Sequence, residues 1–112
     1  MNLDDKIKLA NSLNQQGEID KAEKLYLEIL NQSNKKYEAL LSLGLINIKK
    51  KNFDSSIIFF KKAIKINKTD IRAYINIGNI FIILKNFSEA IKYLEKAKKI
   101  NYKNENVINN LS

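Results

Sequence analysis

The feature that most restricts what this chain can fold into is a spacing. Gly44 and Gly78 stand 34 positions apart, and 34 positions before Gly44 lies another small residue, Ala10. The same step aligns Leu9 with Leu43 and Ile77; Ile19 with Phe53 and Phe87; Ala22 with Ser56 and Ala90; Tyr26 with Phe60 and Leu94; Ile29 with Ala63 and Ala97. A period of this length marks a chain built by stacking one supersecondary unit on the next. Three units follow, over residues 3–36, 37–70 and 71–104, within a single array covering 1–112.

Inside each unit the apolar and small residues recur at helical spacing in two segments, as Leu40, Leu43 and Gly44 and then Phe53, Ser56, Ile57, Phe60, Ala63 and Ile64 do in the second. Each unit therefore reads as an antiparallel helical hairpin with connections of about two to five residues. The chain has no proline and only three glycines, too few turn-makers for an all-β fold with many tight turns. With 45% hydrophobic residues it also has the apolar content that a disordered chain lacks. Asp20, followed by Glu23 as in a capping box, shares a column with Asp54 and Ser88, so second helices are expected to start near 20, 54 and 88. First helices are expected to begin after Asn34 and Thr69, and the run Lys49 to Lys51 suits the carbonyl end of a first helix.

Where Ala10, Gly44 and Gly78 face Ala22, Ser56 and Ala90, two backbones can approach closely while large neighbours interdigitate. One hairpin cannot bury its own apolar stripe, so hairpins must stack, and the expected fold is an all-α solenoid.

A 34-residue hairpin with a small residue eight places in, an aromatic three beyond it and Ala-x3-aromatic-x2-Ala later resembles the tetratricopeptide repeat. The third unit carries the likeness best, through Tyr74, Ile77, Gly78, Phe81, Ala90, Leu94 and Ala97. The chain departs from the family pattern at Lys6, where a large apolar residue is usual, at Asn47, where an aromatic is usual, and at Asn34, Lys68 and Tyr102, where proline is favoured. The resemblance implies a right-handed α-solenoid of three repeats. Residues 105–112 continue the frame, with Ile108 and Leu111 in large columns and Ser112 in the small one. They are expected to form a short C-terminal helix, either the start of a fourth unit cut from a longer array or a terminal cap. Caps usually carry a polar outer face, which favours the cut array. An uncapped edge would leave Phe81 and Leu84 open to self-association.

In the resembled family the first helix of each hairpin lines a concave groove that receives a partner segment. The matching columns here are Asp4, Ile7, Lys8, Asn11 and Asn14; Glu38, Leu41, Ser42, Leu45, Ile48 and Lys49; Arg72, Ile75, Asn76, Asn79 and Ile82; and Asn106, Asn109 and Asn110 in the tail. Leu41, Leu45, Ile48, Ile75 and Ile82 would form an exposed apolar stripe, the kind that marks contact sites, unless some of them belong to the core. Asparagine both donates and accepts, so the column Ser42, Asn76, Asn110 could hold the backbone of an extended peptide of any sequence. The stretch Asn76 to Asn79 is similar to repeats of the O-linked N-acetylglucosamine transferase superhelix, where such asparagines form a ladder. Asparagine, lysine and isoleucine are abundant throughout, however, as codon bias in an AT-rich genome would make them. The carboxylate clamp of chaperone-binding members falls on Ile7, Asn11, Ser42, Arg72 and Asn76, so two of its three cationic positions are lost and a chaperone carboxylate is disfavoured as ligand.

Two other classes of function bear on the reading. The net charge of +8 comes from the second and third units, with 7 cations against 3 anions and 7 against 2, less one acid in the tail, and such a footprint can attract nucleic acid or an anionic membrane. Yet 19 of the 20 cations are lysine, and Lys61, Lys62, Lys65, Lys92, Lys96 and Lys99 sit on second helices, outside the groove, as a solvated face would. Catalysis has no foothold in the sequence. Cysteine and histidine are absent, which removes thiol, imidazole and the usual zinc chemistry, and no phosphate loop or nucleophile constellation appears, so neither cofactor nor metal is expected. Arrays of this kind are often joined to catalytic domains, which would lie beyond Ser112. The most apolar stretch, Ile71 to Leu84, is 14 residues long and interrupted by Arg72, Asn76 and Asn79, too short to cross a bilayer. Met1 to Asp5 has no basic, apolar leader character, which points to the cytosol. The expected role is a non-catalytic scaffold that binds a protein or peptide partner.

Overall fold

Each hairpin closes on the same turn. Gly17, Lys51 and Lys85 adopt left-handed backbone, with φ of 84°, 62° and 61°. Their N–H groups donate to the carbonyls of Asn14, Ile48 and Ile82, and the next N–H, of Glu18, Asn52 and Asn86, reaches back to Leu13, Asn47 and Phe81 at 2.8–2.9 Å. This paired pattern satisfies the last carbonyls of the first helix. The following residue already begins the second.

The computed structural model describes residues 1–33 and 36–111, with side chains as far as Lys103; Asn34, expected as a cap, and Ser112 lie outside it, as do the side chains of Asn106, Ile108, Asn109, Asn110 and Leu111. Six helices follow one another: α1 (Leu3–Gln15), α2 (Ile19–Gln32), α3 (Lys36–Lys49), α4 (Phe53–Ile66), α5 (Ile71–Ile83) and α6 (Phe87–Leu111). They pack in sequence order, α1 on α2, α2 on α3 and so on to α6. With no strand among the described residues, the chain is an all-α solenoid of repeats.

The caps differ from those expected. Second helices begin at Ile19, Phe53 and Phe87, so Asp20, Asp54 and Ser88 are inside the first turn, not in front of it. The turn leaves no spare residue: Glu18 and Asn52 occupy the cap position and make no side-chain capping bond. Asp20 and Asp54 still place negative charge at the positive end of the helix dipole. The Asp20 and Glu23 capping box is absent because both carboxylates turn to Lys50, at 2.8 and 2.9 Å. At α5 the cap is Asp70, which accepts the Arg72 N–H at 3.0 Å, while Thr69 donates to Asn67 instead.

The core is serial. One cluster joins Ala10, Ala22, Tyr26 and Ile29 to Ala39, Leu43 and Ile46; the next joins Leu40, Leu41, Phe60 and Ala63 to Ala73, Ile77 and Ile80. The radius of gyration is 15.4 Å, against about 13 Å for a compact domain of this length. Ala10, Ala22, Ser56 and Ala90 are buried where the helices come closest, and the Ser56 hydroxyl donates to the Gly44 carbonyl at 2.7 Å. A Cβ at Gly44 would lie 2.5 Å from the Phe60 ring and one at Gly78 2.6 Å from Leu94, so a side chain at either position would force its neighbour to move.

The two ends are unlike. Columns filled by Ala39, Leu40 and Ile46, and again by Ala73, Tyr74 and Ile80, are 6% exposed or less, yet in the first hairpin they hold Asp5, Lys6 and Ser12. At the other end Phe87 and Ile91 are 58% and 54% exposed, where their counterparts Phe53 and Ile57 pack against the second cluster. The separate short C-terminal helix does not form; α6 runs unbroken from Phe87 to Leu111. The column that would break it holds Tyr102 in place of proline, and no glycine follows Gly78, so nothing in the sequence stops the helix.

Candidate functional site

The first helices α1, α3 and α5 lie side by side, tied by side chains from equivalent or adjacent columns: Lys49 donates to Asn14 Oδ1 at 3.1 Å and Arg72 to Glu38 Oε1 at 3.2 Å. Along this face Lys8, Asn11, Leu45, Lys49, Arg72, Asn79 and Ile82 are exposed, and Ser42, Ile48 and Asn76 are half-buried. The expected apolar stripe is shorter than its columns suggested. Leu41 is 5% exposed and belongs to the second cluster, and Ile48 packs against that cluster too. Leu45, Ile75 and Ile82 remain open, at 42%, 37% and 44%.

Arg72 is already engaged. Its Nε lies 3.0 Å from both carboxylate oxygens of Asp70, its Nη2 reaches Glu38, and its guanidinium stands 5.6 Å over the Tyr37 ring. The Arg72 hydrogen bonds hold the Asp70 carboxyl down at about 2. The same pairing raises Arg72 above the ordinary guanidinium range. The Tyr37 hydroxyl is shut away from solvent without a hydrogen bond of good geometry, and burial, then the neighbouring Asp70, push its pKa up. Asn76, expected to hold a ligand, donates one amide hydrogen to the Arg72 carbonyl one turn back at 2.9 Å.

Between α1 and α3 the groove deepens into a hollow of about 120 Å³, lined by Ile7, Asn11, Tyr26, Ile29, Glu38, Ala39 and Ser42. The sequence placed Ile7, Asn11, Glu38 and Ser42 on this face but not Tyr26, a core residue of α2 whose hydroxyl donates to Asn11 Oδ1. Burial raises the Tyr26 pKa, opposed by a hydrogen bond from Ser42. A larger hollow of about 390 Å³ runs along α6, lined by Glu89, Lys92, Tyr93, Glu95, Lys96 and Lys99. Its two carboxylates lie among three lysines and partly cancel them, as in the 3.1 Å pair of Glu89 and Lys92. Among the described residues no cluster of acidic side chains could hold a metal ion, and no helix is long and apolar enough to cross a membrane.

Models of the tetratricopeptide repeat match residues 37–70 and 71–101, the second and third hairpins. The chain belongs to the tetratricopeptide repeat family. Solved structures of tetratricopeptide repeat shape agree. MamA superposes with a TM-score of 0.88 at 24% identity over 93% of this chain, which spans 61% of MamA. The TPR2B domain of yeast Sti1, solved as a complex with an Hsp70 peptide, gives 0.83 at 19% identity, over 93% of this chain and 83% of that one. PcrH in complex with the chaperone binding region of PopB gives 0.81 at 14% identity, over 88% and 79%. Comparison with curated proteins finds no significant match.

Proposed function

We propose that this chain is a non-catalytic interaction scaffold whose groove, formed by α1, α3 and α5, holds an extended or helical segment of a partner protein. The observation that carries the reading is the open face itself, where Leu45, Ile75 and Ile82 stand exposed among Asn11, Asn76 and Asn79. Apolar anchors with amides beside them suit a backbone held in a groove. The Sti1 and PcrH structures, which contain bound segments of other proteins, support the choice of ligand class. We read α1 and α2 as a third unit of the family, since the same turn closes it. The ladder reading of Ser42, Asn76 and Asn110 is kept for Asn76, through the amide atoms its own helix leaves unused.

A chaperone carboxylate remains a poor candidate ligand, because the one cation left at the clamp columns, Arg72, is neutralised by Asp70 and Glu38. The alternative of a basic surface for nucleic acid or anionic membrane draws on the exposed lysines of α4 and α6. A third possibility, that the array serves a larger enzyme such as a glycosyltransferase, is compatible with the same groove.

Salt and mutation separate the first two readings. A partner captured by the whole chain should lose affinity about tenfold in Leu45→Asp and in Asn76→Ala, and keep it in Lys61→Ala with Lys65→Ala. Its binding should change little with salt, whereas phosphate contacts would weaken as a power of salt concentration, with a slope of about −0.9 per duplex phosphate. Loss on removing the lysines, with normal binding by the groove variants, overturns the proposal.

A further inference from the structure

We infer that the open end of the array, the outer face of the hairpin α5 and α6, docks an amphipathic helix of a partner protein whose apolar stripe is that of α5. This end face is a second interaction surface, apart from Leu45 and the α1 side of the groove.

What the face accepts can be taken from the hairpin before it. There Leu41 is buried in the second cluster, and Ile48, Phe53 and Ile57 pack against that cluster, to which α5 contributes Ala73, Ile77 and Ile80. One period on stand Ile75, Ile82, Phe87 and Ile91, the same or isomeric side chains, exposed by 37%, 44%, 58% and 54%. The same turn closes both hairpins, at Lys51 and at Lys85. Matching side chains on matching hairpins make matching surfaces, so the third hairpin fits what already covers the second. That cover is a helix showing one small and two large apolar residues at i, i+4 and i+7. One column departs: Lys98 replaces Ile64, at the end of the face away from Phe87, and leaves the rest apolar.

Among the described residues, no first helix of a second copy is free to supply this stripe. α3 spends Ala39, Leu43 and Ile46 on the first cluster, and α5 spends its own on the second. α1 holds Asp5, Lys6 and Ser12 where α5 has Ala73, Tyr74 and Ile80, so head-to-tail stacking would bury charge against Phe87 and Ile91. Copies meeting end to end would each bring a net charge of +8, which opposes close pairing. Nor does α6 turn back over the face, since it runs on to Leu111. The occupant is therefore a helix from another protein, held as the helix-in-groove mode holds its ligands.

A peptide copy of α5, residues 70–86, is the probe. Ile75→Glu, Ile82→Lys and Ile83→Glu, at positions exposed in the array, keep it soluble without touching the stripe. Titrated into the whole ¹⁵N-labelled chain, it should shift the backbone amides of Phe87 and Ile91. Its affinity should fall at least about tenfold in Phe87→Lys with Ile91→Lys and hold in Leu45→Asp. Both lysines replace residues more than half exposed, so that variant keeps its fold. Ile77→Asp with Ile80→Asp in the peptide should abolish binding, and a peptide of residues 2–16, from α1, should not bind. Silence up to about 1 mM, binding that ignores Phe87 and Ile91, or equal binding by the α1 peptide overturns the docking face. So does a dimer that the Phe87 and Ile91 variant dissociates and the peptide does not, which gives the face to a second copy. If the peptide is silent while Leu45→Asp still abolishes capture of a partner, the end face falls and the groove stands. If the peptide binds as expected and capture ignores Leu45, the groove falls and the end face stands.

Discussion

Replacing Gly44 by alanine would test the close packing on which the whole stack depends. The added Cβ would meet Phe60 Cε1 and Cζ at 2.5 Å, where carbon atoms prefer about 3.5–4.0 Å. The ring must therefore retreat by about 1 Å, and it is fully buried among Leu40, Leu41, Ala63, Ala73, Ile77 and Ile80. Overpacking of this sort costs about 1–3 kcal/mol, while the better helix propensity of alanine returns about 0.8–1.0 kcal/mol. The single variant thus mixes two effects of opposite sign. A double-mutant cycle with Phe60→Leu removes the propensity contribution, since it is the same in both backgrounds. Urea unfolding followed by circular dichroism should show Gly44→Ala with Phe60→Leu more stable than the sum of the singles by about 1–2 kcal/mol. Gly78→Ala should be milder, because its Cβ meets Leu94 Cγ and Cδ2 on a half-buried side chain that can turn away. If Gly44→Ala and Phe60→Leu prove additive within about 0.3 kcal/mol, the reasoning from contact to fold is wrong.

Three further outcomes follow from the geometry. Lys51→Gly and Lys85→Gly should each stabilise the chain by about 1 kcal/mol in urea, since left-handed backbone penalises any side chain, whereas Gly17→Ala should lose a similar amount. The depressed Asp70 pKa, about 2 against 3.8 unfolded, contributes stability that is present above pH 4 and is lost as pH falls toward 2; an acid titration should lose up to about 2 kcal/mol there, and Asp70→Asn should flatten that limb. Phe87 and Ile91 should drive weak self-association in sedimentation at high concentration, relieved by Phe87→Lys, and a strict monomer at every concentration would count against an open apolar edge.

Most of the fold could be read from the spacing, because each column has a packing reason that survives into the structure: Gly44 beneath Phe60, Ser56 bonded to Gly44, Ala63 against the next hairpin. The helix starts were less legible. Glycine announces a left-handed residue only at position 17, while Lys51 and Lys85 adopt the same backbone with no mark in the sequence. The residues that look like caps, Asp20, Asp54 and Ser88, therefore lie just past the turn. On the groove face, Leu41 and Leu45 look alike by spacing, but one turn of helix carries Leu41 under the neighbouring hairpin and leaves Leu45 outside. The hollow between α1 and α3 had one faint signal, a tyrosine in a column otherwise filled by Phe60 and Leu94. A buried hydroxyl must find a partner, and the one that Tyr26 finds, Asn11, is a groove residue.

The two core clusters meet on one helix. α3 gives Ala39, Leu43 and Ile46 to the first and Leu40 and Leu41 to the second, and among the partly buried apolar residues Leu30 and Phe59 pack against both. Stacked hairpins draw their stability from each unit plus its contacts with its neighbours, so a change felt at one cluster reaches the other through α3. Tightening the first cluster by filling the groove between α1 and α3 should therefore steady α5 and α6 as well, and trimming Leu30 and Phe59 should weaken that coupling.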